Sequence, residues 1–232
     1  MTEATFLTPG GRVVALDIRP DTSDWNTANS CIAHDEYGFA EHPWKGVAVD
    51  VGAHIGGATI ALLADNPDLH VVAVEVLPEN AAKVRENVAR NGFEERCDVI
   101  NAAASSVAGP ATAAYGTEVD ELHAHHRYIG GVVGANDPGG PRVKVDSISL
   151  SDLVKRYGPI DLLKIDCEGG EWSFLDDKAL RKVKEVRGEW HPVNGHKQAD
   201  MTALLTGFSV TYQGIPEQTD PATWMGFRAV RP

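Results

Sequence analysis

The sequence predicts an α/β domain built on a doubly wound, mainly parallel sheet. Two observations carry that prediction. From Val47 onward, short β-rich runs alternate with helical patterns, the order that yields parallel strands with helices packed on both faces. Residues 47–51 are apolar apart from Asp50, as expected of a strand covered on both sides.

The elements follow in chain order. Residues 1–45 are polar and irregular, with short apolar pieces at 13–16 and 31–33, and are read as a cap on a main domain spanning 46–232. After the strand at 47–51 come a glycine turn and an Ala/Leu/Ile-rich helix to about residue 64. A second strand covers 71–76, and Pro78 opens a helix with Ala81, Val84 and Val88 on one face and Asn91-Gly92 as its stop. Val99-Ile100 makes a short third strand. Ser149 and Asp152 form a capping box for a helix to Tyr157, ended by Gly158-Pro159. Strands then fall at 160–165, which contains Lys164, and at 183–190, 208–212 and 225–230. The Gly- and His-rich insertion 116–142 has no periodicity. A loop that long suggests a lid or binding loop, or conceals a hairpin.

Composition narrows the function classes. A chain of 232 residues, 43% hydrophobic and 23% charged, fits one large globular domain. Its 33 acidic against 21 basic residues give a net charge of −12, which argues against nucleic-acid and anionic-membrane partners. The basic run Arg181, Lys182, Lys184 and Arg187 reads as a solvated helix end. Cys31, Cys97 and Cys167 are isolated from one another, which suits a reducing compartment. Without a leader-like start or a long apolar run, the expected location is cytoplasmic. A homodimer is compatible with this size, and no sequence feature establishes one.

The first chemical motif is Val49-Asp50-Val51-Gly52-Ala53-His54-Ile55-Gly56. Gly52 permits a sharp turn and Gly56 a close approach of the following helix to a ligand. Glu75 ends the second strand, where an acid accepts hydrogen bonds from ribose hydroxyls. The G-x-G-x-x-G dinucleotide pattern is absent, since His54 stands in it. Asp50 would repel a pyrophosphate and suits a cationic amino group. A ligand with a ribose, an amino-acid end and no phosphate fits both acids; S-adenosylmethionine is such a ligand.

The segment Val49–Gly56 resembles motif I of class I S-adenosylmethionine-dependent methyltransferases. Residues 145–153, followed by Ile160-Asp161-Leu162-Leu163-Lys164-Ile165-Asp166-Cys167-Glu168-Gly169-Gly170-Glu171, are similar to the LKIDxEGxE signature of FkbM-type methyltransferases. The resemblance covers about residues 24–190, includes Glu36-Tyr37 and Asn101-Ala102-Ala103, and departs at the insertion. It implies the Rossmann-like class I fold with a seven-stranded sheet and S-adenosylmethionine as cofactor. Asp50, Gly52, Ala53, His54 and Gly56 would lie at its methionine end, Glu75 at the ribose, and Val76, Asn101 and Ala102 beside the adenine. Glu36 and Tyr37 of the cap would reach the same site.

Two mechanisms remain open at this point. In one, His191, beside Glu189 on the same side of its strand and oriented by a carboxylate, removes an acceptor proton near neutral pH. In the other, Asp166, Glu168 and Glu189 hold Mg²⁺, which acidifies the hydroxyl. Glu171 is read as a helix-start carboxylate. The expected reaction is O-methylation of a sugar, oligosaccharide or small natural-product hydroxyl. The alternatives are N-methylation of a small molecule, a nicotinamide-dependent oxidoreductase and a non-catalytic nucleoside-binding module. Acceptor recognition is placed in the insertion, with Tyr128 and its histidines His123, His125 and His126, and on Trp190.

Overall fold

The computed structural model describes residues 2–115, 130–132, 142–213 and 225–232. The N-terminal segment holds β1 (Thr2–Leu7), β2 (Val13–Ile18) and α1 (Asp24–Ile32). The first half of the main sheet is β3 (Gly46–Val51), α2 (Gly57–Asp65), β4 (Leu69–Glu75), α3 (Pro78–Arg90) and β5 (Cys97–Asn101). A side sheet is formed by β6 (Ala103–Ala104), β7 (Gly109–Tyr115), β8 (Gly130–Val132) and β9 (Arg142–Ile148). The second half is α4 (Leu150–Tyr157), β10 (Ile160–Ile165), α5 (Glu171–Leu175), β11 (Val183–Trp190), α6 (Gln198–Leu204), β12 (Ser209–Gln213) and β13 (Met225–Val230).

The seven-stranded sheet has the order β12-β13-β11-β10-β3-β4-β5. Only β13 runs antiparallel to its neighbours β11 and β12. The chain departs from β3 first toward β4 and β5 and then returns to β10 on the other side. That reversal opens a crevice beyond the carboxyl ends of β3 and β10, the usual ligand position in such sheets. Asp50, Glu75, Asn101, Asp166 and His191 all lie at or just past carboxyl ends.

Strand alternation sends successive residues to opposite layers. Ala48, Val71, Ala73 and Leu162 pack with the hairpin and α1, while Val49, Val72, Leu163, Ile165 and Val186 pack with α4, α5 and α6. Each fully buried aliphatic chain contributes about 1.5–3 kcal/mol. The capping box at Ser149 forms as expected, Ser149 Oγ accepting the Asp152 N–H at 3.1 Å.

Two expectations are corrected. The N-terminal segment is not irregular: β1 and β2 form an antiparallel hairpin joined through Pro9-Gly10-Gly11. Its strands are short and half apolar, and the ladder alone does not hold them. Asn91 grips Ala15, accepting its N–H at 3.0 Å and donating to its carbonyl at 2.8 Å, and Asn87 accepts the Asp17 N–H at 2.7 Å. Arg187 is likewise no solvated cation; it lies inside β11 at 2% exposure. Among the described residues, no helix is long and apolar enough to cross a membrane.

Candidate active site

The turn after β3 is shaped by its neighbours. Gly52 has φ +77°, and a Cβ there would collide with the carbonyl oxygen of Asp166. The N–H groups of Gly52 and Ala53 both donate to the Val74 carbonyl, at 2.9 and 3.2 Å, tying the turn to β4. Glu75 is buried, accepting the His54 N–H at 2.8 Å and the Leu77 N–H at 2.9 Å. Burial pushes its carboxyl up to about 7. Asn101 donates to the carbonyls of Glu75 and Val76 at 2.8 and 2.9 Å, and the Ala102 N–H donates to Glu75 at 3.1 Å. Val76, Asn101 and Ala102 thus gather at the ends of β4 and β5.

Asp50 is fully buried, and its carboxylate is already matched. Thr59 donates to one oxygen at 2.6 Å, and the Lys164 ammonium lies 3.2 Å from the other while also donating to the Gly52 carbonyl at 2.9 Å. Burial alone would lower the Lys164 pKa, but Asp50 and Asp166 outweigh it and hold the ammonium charged. In the free chain Lys164 stands where a ligand's amino group would meet Asp50. His54, at φ +52°, turns its ring inward to within 3.4 Å of Asp24. Burial lowers its pKa to about 4, so the imidazole is neutral and shapes the turn.

On the other side of the crevice, β10 runs into Asp166-Cys167-Glu168-Gly169. Glu168 has φ +55° and Gly169 φ +95°; a left-handed non-glycine residue is costly and recurs at functional sites. This turn presents Asp166, whose Oδ2 accepts the Tyr37 hydroxyl at 3.0 Å. Glu171 is fully buried and accepts the Gly169 N–H at 2.9 Å. Its other oxygen takes the His191 N–H at 2.6 Å and faces the His191 Nδ1 at 2.9 Å. His191 Nε2 lies 3.6 Å from Glu168. Asp166, Glu189 and His191 bring their polar atoms within 4.8 Å of one another.

Burial alone would lower the His191 pKa, but the hydrogen bond and charge of Glu171, with Glu168 and Asp166, raise it to about 10. Burial, with the neighbouring Asp166 charge, pushes Glu189 up to about 9. Burial likewise pushes Glu168 up to about 7. Glu171 thus favours the charged His191 ring, which has no lone pair to accept a proton until it gives one up. Among the described residues Asp166, Glu189 and His191 converge, two carboxylates and one imidazole, while Glu168 turns to His191, so the all-carboxylate Mg²⁺ set does not come together as one group. Lys164 and Glu171 are the important residues that sequence reasoning misassigned or passed over. A lone lysine inside an apolar strand was the signal for the first. His123, His125, His126 and Tyr128 lie outside the described residues.

The residues fit S-adenosylmethionine. Glu75 Oε1 takes the Leu77 N–H and the Asn80 amide, at 2.9 and 3.4 Å, while Oε2 takes the His54 N–H and keeps a lone pair beside the Gly52–Gly56 turn, where a ribose hydroxyl can donate. Asp166 and Glu168 give the crevice the negative character a sulfonium needs.

The family model for the methyltransferase FkbM domain matches residues 50–213. An O-methyltransferase of Aspergillus flavus, imqG, is 38% identical over 58 residues, a match covering 25% of this chain and 23% of that protein's length. Among solved structures, a precorrin-6y C5,15-methyltransferase from Geobacter metallireducens superposes with a TM-score of 0.53 at 13% identity, covering 93% of each chain. An rRNA methylase from Streptococcus thermophilus gives a TM-score of 0.51 at 11% identity, over 87% of this chain and 96% of that one. At such identity these two likenesses show the fold alone: the class I methyltransferase fold.

Proposed function

The chain belongs to the methyltransferase FkbM domain family, and we propose that it is an S-adenosylmethionine-dependent O-methyltransferase acting on a hydroxyl of a sugar, an oligosaccharide or a small natural product. The observation that carries the oxygen acceptor is Glu189, a partly buried carboxyl beside Asp166 and His191 at the crevice between the two halves of the sheet. An alcohol keeps its proton at neutral pH, so its attack on a methyl group needs a positioned base.

When bound, the cofactor supplies an electrophilic methyl group on a positively charged sulfur. The Gly52–Gly56 turn and Glu75 would hold it at the β3 and β4 ends. In the free chain Glu189 retains its proton, since burial and Asp166 disfavour its anion. A positive charge near it would favour the ionised form, and Glu189 would then take the hydroxyl proton. Asp166 is steadied by Tyr37 and His191 by Glu171, so the walls around Glu189 are set before the acceptor enters. Such alignment supplies much of the rate of an in-line displacement.

The test is incubation with methyl-labelled cofactor and a panel of matched alcohols and amines, read by mass spectrometry with the methylated atom located by NMR. Methyl on oxygen supports the reading. Transfer to nitrogen alone, or to nothing, defeats it.

A further inference from the structure

A cavity of about 250 Å³ lies between the segment around Tyr37 and the outer strands β11, β13 and β12. Its floor follows from strand register. Glu189 pairs with Gly226, and Gly226 with Gln213, so the three positions form one row on one face of the sheet. Gly226 is the notch in that row. Its backbone is not left-handed, and a Cβ there would meet only Gln213, at an ordinary 3.5 Å. Neither backbone strain nor close packing calls for glycine at this point; what its missing side chain leaves is room beside Glu189.

The roof is fixed rather than hinged. Arg187 reaches up from the neighbouring row, donating to the carbonyls of Tyr37 (2.9 Å) and Gly38 and to Glu41 at 3.0 Å, with Glu185 bonded to its Nε at 2.6 Å. Arg228 spends its donors on the same two acids, Glu185 and Glu41. Both cations lining the cavity are therefore matched. Glu36 and Glu189 line it too, and neither makes an ion pair among the described residues; Glu36 accepts only the Cys31 thiol, at 2.9 Å.

We propose that this cavity is the acceptor subsite, and that it takes a single hydroxyl-rich ring of monosaccharide size that carries no negative charge. The inference rests on the methyltransferase reading above and names its acceptor class. The volume lies just below the about 300–1,000 Å³ of small-molecule sites, which suits one ring with any further units outside. Glu36, Glu189 and Gln213 accept from hydroxyls, and the Tyr37 ring offers a face to a sugar's C–H groups. An anionic acceptor would meet Glu36, which has no cationic partner among the described residues, and Glu189 once it ionises; it is disfavoured by charge placed against it, which is how a site rejects near relatives.

The test separates binding from chemistry. The full chain is loaded with S-adenosylhomocysteine, which cannot donate a methyl, and saturation-transfer NMR follows methyl glycosides of a neutral hexose, a uronic acid and a hexose phosphate. The neutral glycoside should bind, and the two anionic ones about tenfold more weakly or worse. Gly226→Val should weaken the neutral glycoside about tenfold or more with homocysteine-ligand affinity and melting temperature unchanged. Gln213→Ala, at the exposed strand end, should weaken it less and covers the case in which Gly226→Val does not fold. Equal or tighter binding of either anionic sugar, no sugar binding at all, or unchanged binding in both variants overturns the proposal. Binding as expected but with no transfer from labelled S-adenosylmethionine overturns the methyltransferase reading and leaves the subsite standing.

Discussion

The two halves of the crevice handle charge in opposite ways. At the ends of β3, β4 and β5, every charge is matched within the fold: Asp50 by Lys164 and Thr59, Glu75 by two backbone N–H groups. At the ends of β10 and β11, Asp166, Glu168, Glu171 and Glu189 crowd around one imidazole, and the pKa values of three of these groups move far from their ordinary positions. The first half is a rigid cradle whose job is shape. The second is a proton reservoir whose job is chemistry. Perturbed carboxyls cluster where proton transfer is needed.

The largest effect should come from the reactive half. Glu189→Gln keeps the shape and removes the base, so turnover should fall roughly 10²–10⁴-fold, while cofactor affinity falls only by the part of binding linked to ionising Glu189. Calorimetry in buffers of different ionisation enthalpy sharpens the point. Binding the sulfonium cofactor near pH 7.5 should release a proton from the wild type, whose Glu189 sits at about 9, and not from Glu189→Gln. Full turnover in the variant would end the assignment.

In the rigid half the largest cost should be to stability. Lys164→Met leaves the buried Asp50 carboxylate without its cation, a change worth about 3–5 kcal/mol. Adding Asp50→Asn should restore much of the loss. Chemical denaturation of the single and double variants decides this; an Asp50→Asn addition that recovers nothing would mean the pair does not act as a unit.

Glu75→Ala should weaken cofactor binding by about 1.5–3 kcal/mol for each ribose bond lost, with little change in the pH profile of turnover. Unchanged affinity would remove Glu75 from the cradle.

The halves should also differ in how pH acts on stability. His191 is raised from 6.5 to about 10, so its pairing with Glu171 stabilises the fold fully below about pH 6.5 and is lost as pH rises through 10. Denaturation of His191→Gln beside the wild type should show the largest gap near pH 6 and convergence near pH 10. A gap that does not change with pH would show that the ring acts through packing alone.

The contrast also explains what was legible beforehand. The cradle is contiguous: one strand, one turn and one helix carry Asp50 to Gly56, and the next strand ends at Glu75, so spacing alone outlines it. Strand positions and the Ser149 capping box are local for the same reason. The rest of the site is assembled from afar. Lys164 faces Asp50 only because β10 pairs with β3, two strands separated by more than a hundred residues of sequence. Glu171 meets His191 only because β10 and β11 end side by side. Arg187 reads as a surface cation until β13 brings Arg228 beside it and the N-terminal segment brings Glu41. The hairpin's apolar pattern, Val14, Leu16 and Ile18 at alternate positions, is short; these side chains are buried in the core, and the amides of Asn87 and Asn91 add hydrogen bonds to the same strand.

Tyr37 tests whether the halves are separable at all. It belongs to the N-terminal segment, lines the acceptor cavity, lies with its ring 5.4 Å from the Lys164 ammonium and donates its hydroxyl to Asp166. Through the ring it touches the rigid half; through the hydroxyl, the reactive one. Tyr37→Phe keeps the ring and removes only the donor. Asp166 is half-buried, so water can replace the lost hydroxyl and the net cost is about 0.5–1.5 kcal/mol. That corresponds to roughly a two- to tenfold change, the smallest effect foreseen here. It should fall on acceptor KM and turnover, because what loosens is a wall of the acceptor cavity, while cofactor affinity and melting temperature stay near wild type. Should cofactor affinity fall more than acceptor KM rises, the hydroxyl would be holding the cradle through Asp166 and Gly52, whose Cα the Asp166 carbonyl crowds. The two halves would then be one unit, and the division of labour drawn from their charges would fail.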